Sequence, residues 1–397
     1  MDKSKDCGCN EHPSPKGLNI STSNVNILSS MDKIISPCST QTFDATAGHE
    51  KPGFKLCSYV DSFIQTHAGD IPIIKSRLEK NDLFSTFYVR CGINRYQYTV
   101  APGLYGIGNP DKSCEVLVTA NFKLTFDHLR KQLSKTNAWI LVLDTKGINV
   151  WCAAGKGTFS TGELVKRIKE ACLEKIVDHK RVIVPQLGAT GVSAKDVKKQ
   201  SGFRVVYGPI RASDIPAFLK NNKKADKKMR QVTFNLYDRF ILTPVEIQIV
   251  LKPALIAALI LFIISGFGPG IFSFSGAWER GVVSFCALVA GIVSGAFITP
   301  VLLPFIPFRA FALKGIIAGS VLAVLSLAAM ASAVNGAAGF LALFLFSVTI
   351  SSFLAMNFTG TTPFTSPSGV EKEMKQYIPV QICALVLSSG LWIYSAF

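Results

Sequence analysis

The feature that most constrains this chain is a series of five apolar segments in its second half, at about 248–267, 281–303, 312–334, 337–357 and 378–396. Each is near the ~20 residues an α-helix needs to cross a hydrocarbon core of ~30 Å. So many long apolar stretches exceed what one water-soluble core can cover. The reading is an all-α membrane domain of five transmembrane helices over 248–397, in contact with membrane lipid.

Charge then suggests an orientation. The net charge is +16 at pH 7, and a basic linker, 221–247, stands immediately ahead of the first segment, with six Lys or Arg against one Asp over the run Lys220–Arg230. Arg309 and Lys314 flank the connection between the second and third segments. Lys372 and Lys375 lie between the fourth and fifth, and the opposite connections carry only Arg280. Positive residues mark cytoplasmic loops. This predicts a multi-pass protein of the cytoplasmic (inner) membrane, with its soluble part in the cytoplasm and Phe397 outside. A juxtamembrane signal explains the basic run better than nucleic-acid binding, so no nucleic-acid partner is expected. No ionisable residue lies deep within a span, which favours anchoring over ion-coupled transport. Gly291-x-x-x-Gly295 and Gly315-x-x-x-Gly319 permit close helix contacts.

The soluble half opens with residues 1–80, read as a disordered or poorly defined arm; the first fifty or so are rich in Ser, Thr, Asn, Lys and Pro. Cys7-Gly8-Cys9 in this arm is either a soft-metal capture site or a pair of exposed thiols. No apolar stretch follows Met1, so no secretory signal is expected. The ten cysteines show no disulfide-like spacing, and in a reducing cytoplasm their thiols should stay free.

From residue 81 to 220 the pattern alternates. Phe87-Tyr88-Val89, Tyr96-Gln97-Tyr98-Thr99-Val100, Glu115-Val116-Leu117-Val118-Thr119-Ala120, residues 139–144, Arg181-Val182-Ile183-Val184 and Phe203-Arg204-Val205-Val206-Tyr207 read as strands. Helices are expected around 126–133, after Ser160-Thr161-Gly162-Glu163 (a Ser-x-x-Glu capping box), over 193–200 and over 214–219. In the second of these, Cys172 falls on the core face. Alternation of this kind predicts an α/β, Rossmann-like domain with a mostly parallel sheet.

Within that domain, the octet Asn149-Val150-Trp151-Cys152-Ala153-Ala154-Gly155-Lys156 lies at the carboxyl end of the strand 139–144, where open α/β sheets hold ligands. Ala153, Ala154 and Gly155 leave little bulk beside Cys152, so a large flat group could lie against this backbone. The plain alternative is a buried structural cysteine in a tight turn. A second glycine-bearing turn, residues 185–192, follows another strand and is either a ligand contact or an ordinary connection.

The octet resembles the cobalt-binding motif of the corrinoid proteins of microbial mercury methylation, the HgcA family, whose pattern is Asn-(Val/Ile)-Trp-Cys-Ala-(Ala/Gly)-Gly-Lys. Every position matches, and the resemblance continues through Gly157-Thr158-Phe159, the following α/β segment and the membrane domain. It covers roughly residues 80–397, and the α/β domain alone also resembles the corrinoid iron–sulfur protein large subunit. It implies a methyltransferase that passes a methyl group from a cobalamin-type corrinoid, methylated in its active state, to a Hg(II) thiolate complex, giving methylmercury.

The same resemblance implies Cys152 as catalytic residue and lower axial cobalt ligand. Corrinoid contacts are expected from Asn149, Val150, Trp151, Cys152, Ala153, Ala154, Gly155, Lys156 and Thr158, and from Gln186, Leu187, Gly188 and Ala189 in the second turn. Trp151 would anchor the loop in the core, and Lys156 and the helix N-terminus would favour thiolate. None of the five histidines sits in the Asp-x-His-x-x-Gly pattern of histidine-ligated cobalamin enzymes. Implied partners are a ferredoxin-like reductant with two 4Fe–4S clusters (HgcB type) and a methyl-folate-linked donor. Two other readings stand beside this one: another membrane-anchored corrinoid methyl carrier of one-carbon metabolism, and a membrane heavy-metal binding or transport protein.

Overall fold

The computed structural model describes residues 57–334, 336–358 and 367–397; Cys7 and Cys9 lie outside them. Its α/β part is built on β1 (Val60–Thr66), β2 (Gly69–Ile74), β3 (Gly103–Ile107), β4 (Val116–Ala120), β5 (Ala138–Leu143), β6 (Arg181–Val184) and β7 (Arg204–Tyr207). Helices are α1 (Lys80–Arg90), α2 (Lys123–Gln132), α3 (Val150–Gly155), α4 (Thr161–Glu170), the short α5 (Leu173–Ile176), α6 (Ala194–Ser201) and α7 (Ile215–Lys220).

β5 is apolar at every position because both its faces are covered. Trp139, Leu141 and Leu143 join Val116 and Val118 of β4 under Leu164 and Ile168 of α4. Ile140 and Val142 face the other way, with Leu117, against Phe126 and Leu129 of α2 and Phe218 of α7. The sheet runs β1-β2-β3-β5-β4-β6-β7. β5, β4, β6 and β7 are parallel, whereas β3 is antiparallel to β5 and β1 to β2. The fold is therefore a mixed α/β sheet with helices on both faces. After β4 the chain turns towards β5; after β6 it turns away towards β7. The carboxyl ends of β4 and β6 thus flank a crevice of the kind that receives ligands.

Several expectations change. β1 and β2 fall within residues assigned to the arm, so the ordered domain begins before residue 81. Phe87-Tyr88-Val89 belongs to α1 rather than a strand. Asp82 Oδ2 accepts the Glu79 amide at 3.0 Å and starts the helix, overriding the β propensity of the aromatic run. Residues 96–100 form a turn of 3₁₀-helix, Arg95–Gln97, and then a single bridge between Thr99 and Phe122. The linker 221–247 is strapped to the α/β part. Lys223 Nζ donates to Glu115 at 2.7 Å, Ile210 N to Met229 O at 2.9 Å, and Arg211 to Asp238 at 2.7 Å.

Among the described residues, five helices are long and apolar enough to cross a membrane: Leu236–Ser265, Phe274–Val301, Phe311–Ala329, Gly336–Asn357 and Ser368–Tyr394. Both Gly-x-x-x-Gly pairs meet one stripe of the fourth. A Cβ on Gly291 would stand 2.8 Å from Ser347 O, and one on Gly295 or Gly315 would stand 2.6 Å from Ser351 O. Arg280, counted as a loop residue above, is inside the second helix and only 9% exposed. Its guanidinium donates to the backbone oxygens of Ser265, Phe267 and Trp392. It thereby ties the first, second and fifth helices together at one end.

Candidate functional site

The octet is the whole of α3 together with its two caps. Asn149 is the N-cap, and its Oδ1 accepts the Cys152 amide at 2.9 Å, satisfying a donor that a helix start leaves unpaired. Helical geometry then divides the octet. Val150, Ala153 and Ala154 are buried in the core beneath α4, while Trp151, Cys152, Gly155 and Lys156 are exposed. Cys152 is a free thiol, so the buried-cysteine alternative does not hold. A Cβ added to Gly155 would meet nothing within 4 Å. The sulfur therefore stands on a low, open strip. Cys91, Cys114, Cys172, Cys286 and Cys383 are also free, but Cys57 is disulfide-bonded, against the expectation of free thiols throughout. Cys172 is half-buried and takes a left-handed backbone at the start of α5, at the margin of the core rather than within it.

Trp151 does not anchor the loop in the core: it is 41% exposed and forms part of a cavity rim. That cavity, about 370 Å³, opens at the β4–β6 crevice. Leu117, Leu129, Ile183 and Ile215 give it apolar walls, and Asn149, Val150, Trp151 and Leu187 complete the lining near α3. An apolar hollow with a few polar groups at its mouth suits a flat organic group.

The loop before α3 is organised by Asn121, a residue the sequence reading passed over. Only 3% exposed, its Oδ1 accepts from Thr145 N at 3.1 Å and Gly147 N at 3.0 Å, and Thr145 Oγ1 lies 2.8 Å away. Its Nδ2 donates to Asp144 at 3.2 Å. Burial works to raise the Asp144 pKa, but hydrogen bonds from the Lys146 ammonium and amide outweigh it and hold the carboxyl below its ordinary value. Gly147 has φ +70°, and a Cβ there would stand 2.7 Å from Tyr96 O. After α3, Ser160 Oγ accepts the Glu163 amide, but the expected return bond is missing: Glu163 Oε1 instead accepts Asp144 N at 2.9 Å and Arg167 Nε at 2.6 Å. The glutamate braces the site loop.

The remaining candidates divide. The Thr158 hydroxyl is turned into its own loop, 3.4 Å from Ala153 O. Gln186 Oε1 accepts Arg230 Nη1 at 2.7 Å, tying the second turn to the basic strap. Gly188 is buried, and a Cβ on it would lie 2.4 Å from the Phe159 ring; one on Gly191 would lie 2.1 Å from Phe159 O. These bare faces let the turn pack against the segment after α3. Ala189 is half-buried beside them. Lys156 is the C-cap of α3. A cation whose field meets Cys152 is Arg95, also missed from the sequence. Burial lowers its pKa from the ordinary arginine value, and Tyr96 and Cys152 act in the opposite sense.

Comparisons with known proteins bear on this site. A family model described as the CO dehydrogenase/acetyl-CoA synthase delta subunit matches residues 25–219. The gamma subunit of the acetyl-CoA decarbonylase/synthase complex of Methanopyrus kandleri is 39% identical over 124 residues, 30% of this chain and 26% of that protein. The same subunit of Methanocaldococcus jannaschii is 35% identical over 130 residues, 32% and 26% of the two chains. The corrinoid/iron–sulfur protein large subunit of Moorella thermoacetica is 31% identical over 118 residues, 29% and 26%. The chain spans about a quarter of the length of each. Over its α/β part, the chain is related to a family of corrinoid proteins.

Proposed function

We propose that this chain is a membrane-anchored, corrinoid-dependent methyltransferase whose acceptor is Hg(II) held as a thiolate complex. The observation that carries the reading is the free, exposed Cys152, which directly follows the cavity-lining residues Asn149, Val150 and Trp151 in an octet that matches the cysteine-ligating motif at every position. The residues present fit such a cofactor. Gly155 leaves the strip beside the sulfur open, and the cavity has room for an apolar appendage. A corrinoid, when bound, carries the methyl group on its cobalt.

The chain's own residues do the rest. Cys152 supplies the soft donor for the metal. Asn149 fixes the turn that presents the sulfur, Trp151 and Leu187 shape the rim, and Val150, Ala153 and Ala154 hold α3 to the core. A thiolate donates electron density more strongly than an imidazole, which favours delivery of the methyl group to an electrophilic acceptor such as Hg(II). The positive-inside pattern favours a cytoplasmic α/β part and an external carboxyl terminus. Reduction between turnovers is assigned to a separate ferredoxin-like protein with 4Fe–4S clusters, and methyl supply to a methyl-folate-linked donor.

A second reading has its own support. The relatives' names belong to acetyl-CoA decarbonylase/synthase and corrinoid/iron–sulfur proteins, which favours a membrane-anchored methyl carrier of one-carbon metabolism. One assay separates the two. The full chain, loaded with methylated corrinoid and a low-potential reductant, is offered Hg(II)–cysteine or a tetrahydrofolate acceptor. The first reading expects methylmercury from wild type and none from Cys152→Ala. Methyl transfer to the folate alone would favour the second.

A further inference from the structure

A second chamber adjoins the site. It has a volume of about 170 Å³ and lies where the α/β part meets the start of the first spanning helix. Arg90 and Arg95 enter it with His128, and Ile241, Leu242 and Val245 close its far wall. Asn149, Thr125 and His128 line both this chamber and the apolar cavity, so the two adjoin.

The charges in it are not balanced. Arg90 sits at the carboxyl end of α1 and donates from Nη2 to His128 Nε2 at 3.1 Å. Arg95 donates to Val89 O at 3.3 Å and lies over the Phe122 ring at 5.2 Å. Both are half-buried. Among the described residues no carboxylate acts on either one, and each cation also feels burial; Arg95 is a like charge acting on Arg90. Elsewhere in the domain partly or fully buried cations do have carboxylate partners: Arg130 pairs with Asp82 and Asp127, and Arg167 with Glu163. Two guanidiniums held together in a partly dry chamber without an anion are costly unless an anion joins them. Burial and the Arg90 charge also hold His128 below the ordinary histidine pKa, so it accepts from Arg90 and adds no third positive charge at neutral pH.

We propose that Arg90 and Arg95 form a binding site for a phosphodiester. Guanidinium groups bind phosphate oxygens in paired, charge-assisted hydrogen bonds. Two sources offer this group here. One is the nucleotide appendage of a corrinoid, whose base would occupy the adjoining cavity; that source rests on the functional reading above. The other is an anionic phospholipid held against the first spanning helix, as basic pockets at the cytoplasmic face hold headgroups.

The test uses the full chain in nanodiscs, as wild type, Arg90→Gln, Arg95→Gln and Leu124→Glu. The last places a carboxylate in the chamber wall while both arginines remain. Circular dichroism selects the variants that fold. Each is titrated with cobalamin and with cobinamide, which lacks the nucleotide and its phosphodiester, and its retention of phosphatidylglycerol against phosphatidylcholine is measured. A loss of cobalamin affinity of about ten-fold or more, with cobinamide binding unchanged, identifies the corrinoid phosphodiester. A comparable loss of phosphatidylglycerol, with cobalamin binding unchanged, identifies the lipid. Folded variants that bind all three probes like wild type overturn the proposal. If wild type binds neither corrin, the functional reading fails, and the lipid arm alone decides the chamber.

Discussion

Asn149 Oδ1 and the Cys152 amide are 2.9 Å apart, so the residue that opens α3 also holds the backbone of its thiol. Replacing Asn149 with Ala removes that cap, at a cost of about 1 kcal/mol. Asn149→Asp keeps a side-chain oxygen in place. The expected result is a lower melting temperature and weaker corrinoid binding for Asn149→Ala, with both restored in Asn149→Asp. Thermal melts and corrinoid titrations check it.

The loop ahead of α3 should be sensitive at two positions far from it in the chain or without a functional group. Asn121→Ala strips the acceptor shared by Thr145 and Gly147, and leaving such buried donors unpaired costs about 1–3 kcal/mol each. Gly147→Ala forces a left-handed residue against Tyr96 O. Both variants are expected to unfold at lower denaturant than wild type. A Gly155→Ala variant, with open space around the new methyl, should keep wild-type stability but lose corrinoid affinity.

Acid stability should follow the buried cluster of Asp82, Asp127, Lys123 and Arg130. Lys123 Nζ lies 2.7 Å from both carboxylates, and Arg130 Nη2 lies 2.7 Å from Asp82. Burial acts to raise the Asp82 pKa, but Lys123, the Glu79 amide and Arg130 outweigh it and leave the carboxyl below its ordinary value. A depressed carboxylate pKa stabilises the fold above the unfolded value, near 4, and that stability is lost as pH falls through the folded pKa. Asp82→Ala leaves two buried cations, Lys123 and Arg130, sharing the one carboxylate of Asp127, and should cost about 3 kcal/mol at neutral pH. Because it has already lost this contribution, its stability should fall less steeply than that of wild type in acid. Denaturant titrations from pH 7 to pH 3 make the comparison.

In the membrane part, Gly315→Val should separate the third helix from the fourth, because even a Cβ there meets Ser351 O at 2.6 Å. Overpacking of this kind costs about 1–3 kcal/mol. The variant is expected to melt earlier in detergent, with the visible spectrum of bound corrinoid unchanged.

Much of this architecture is legible in the sequence where one local pattern decides it. The continuous apolar runs of β4, β5 and β6 and the five long apolar segments each stand out alone. The octet also declares its place at the end of β5. What stays hidden depends on contacts between distant residues. α1 reads as a strand because the Asp82 that starts it draws its partners, Lys123 and Arg130, from another helix. Asn121 and Arg95 reach the site loop only through the fold. The pattern around Gly188 shows a missing side chain but not that Phe159 fills its place.

The central claim is that the Cys152 sulfur ligates a corrinoid cobalt. The most direct measurement is the visible spectrum of the full chain reconstituted with cobalamin, as wild type, Cys152→Ala and Cys152→His. The account predicts a wild-type spectrum distinct from both variants, with corrinoid retained in all three. Identical spectra for wild type and Cys152→Ala, or no bound corrinoid in wild type, would contradict it.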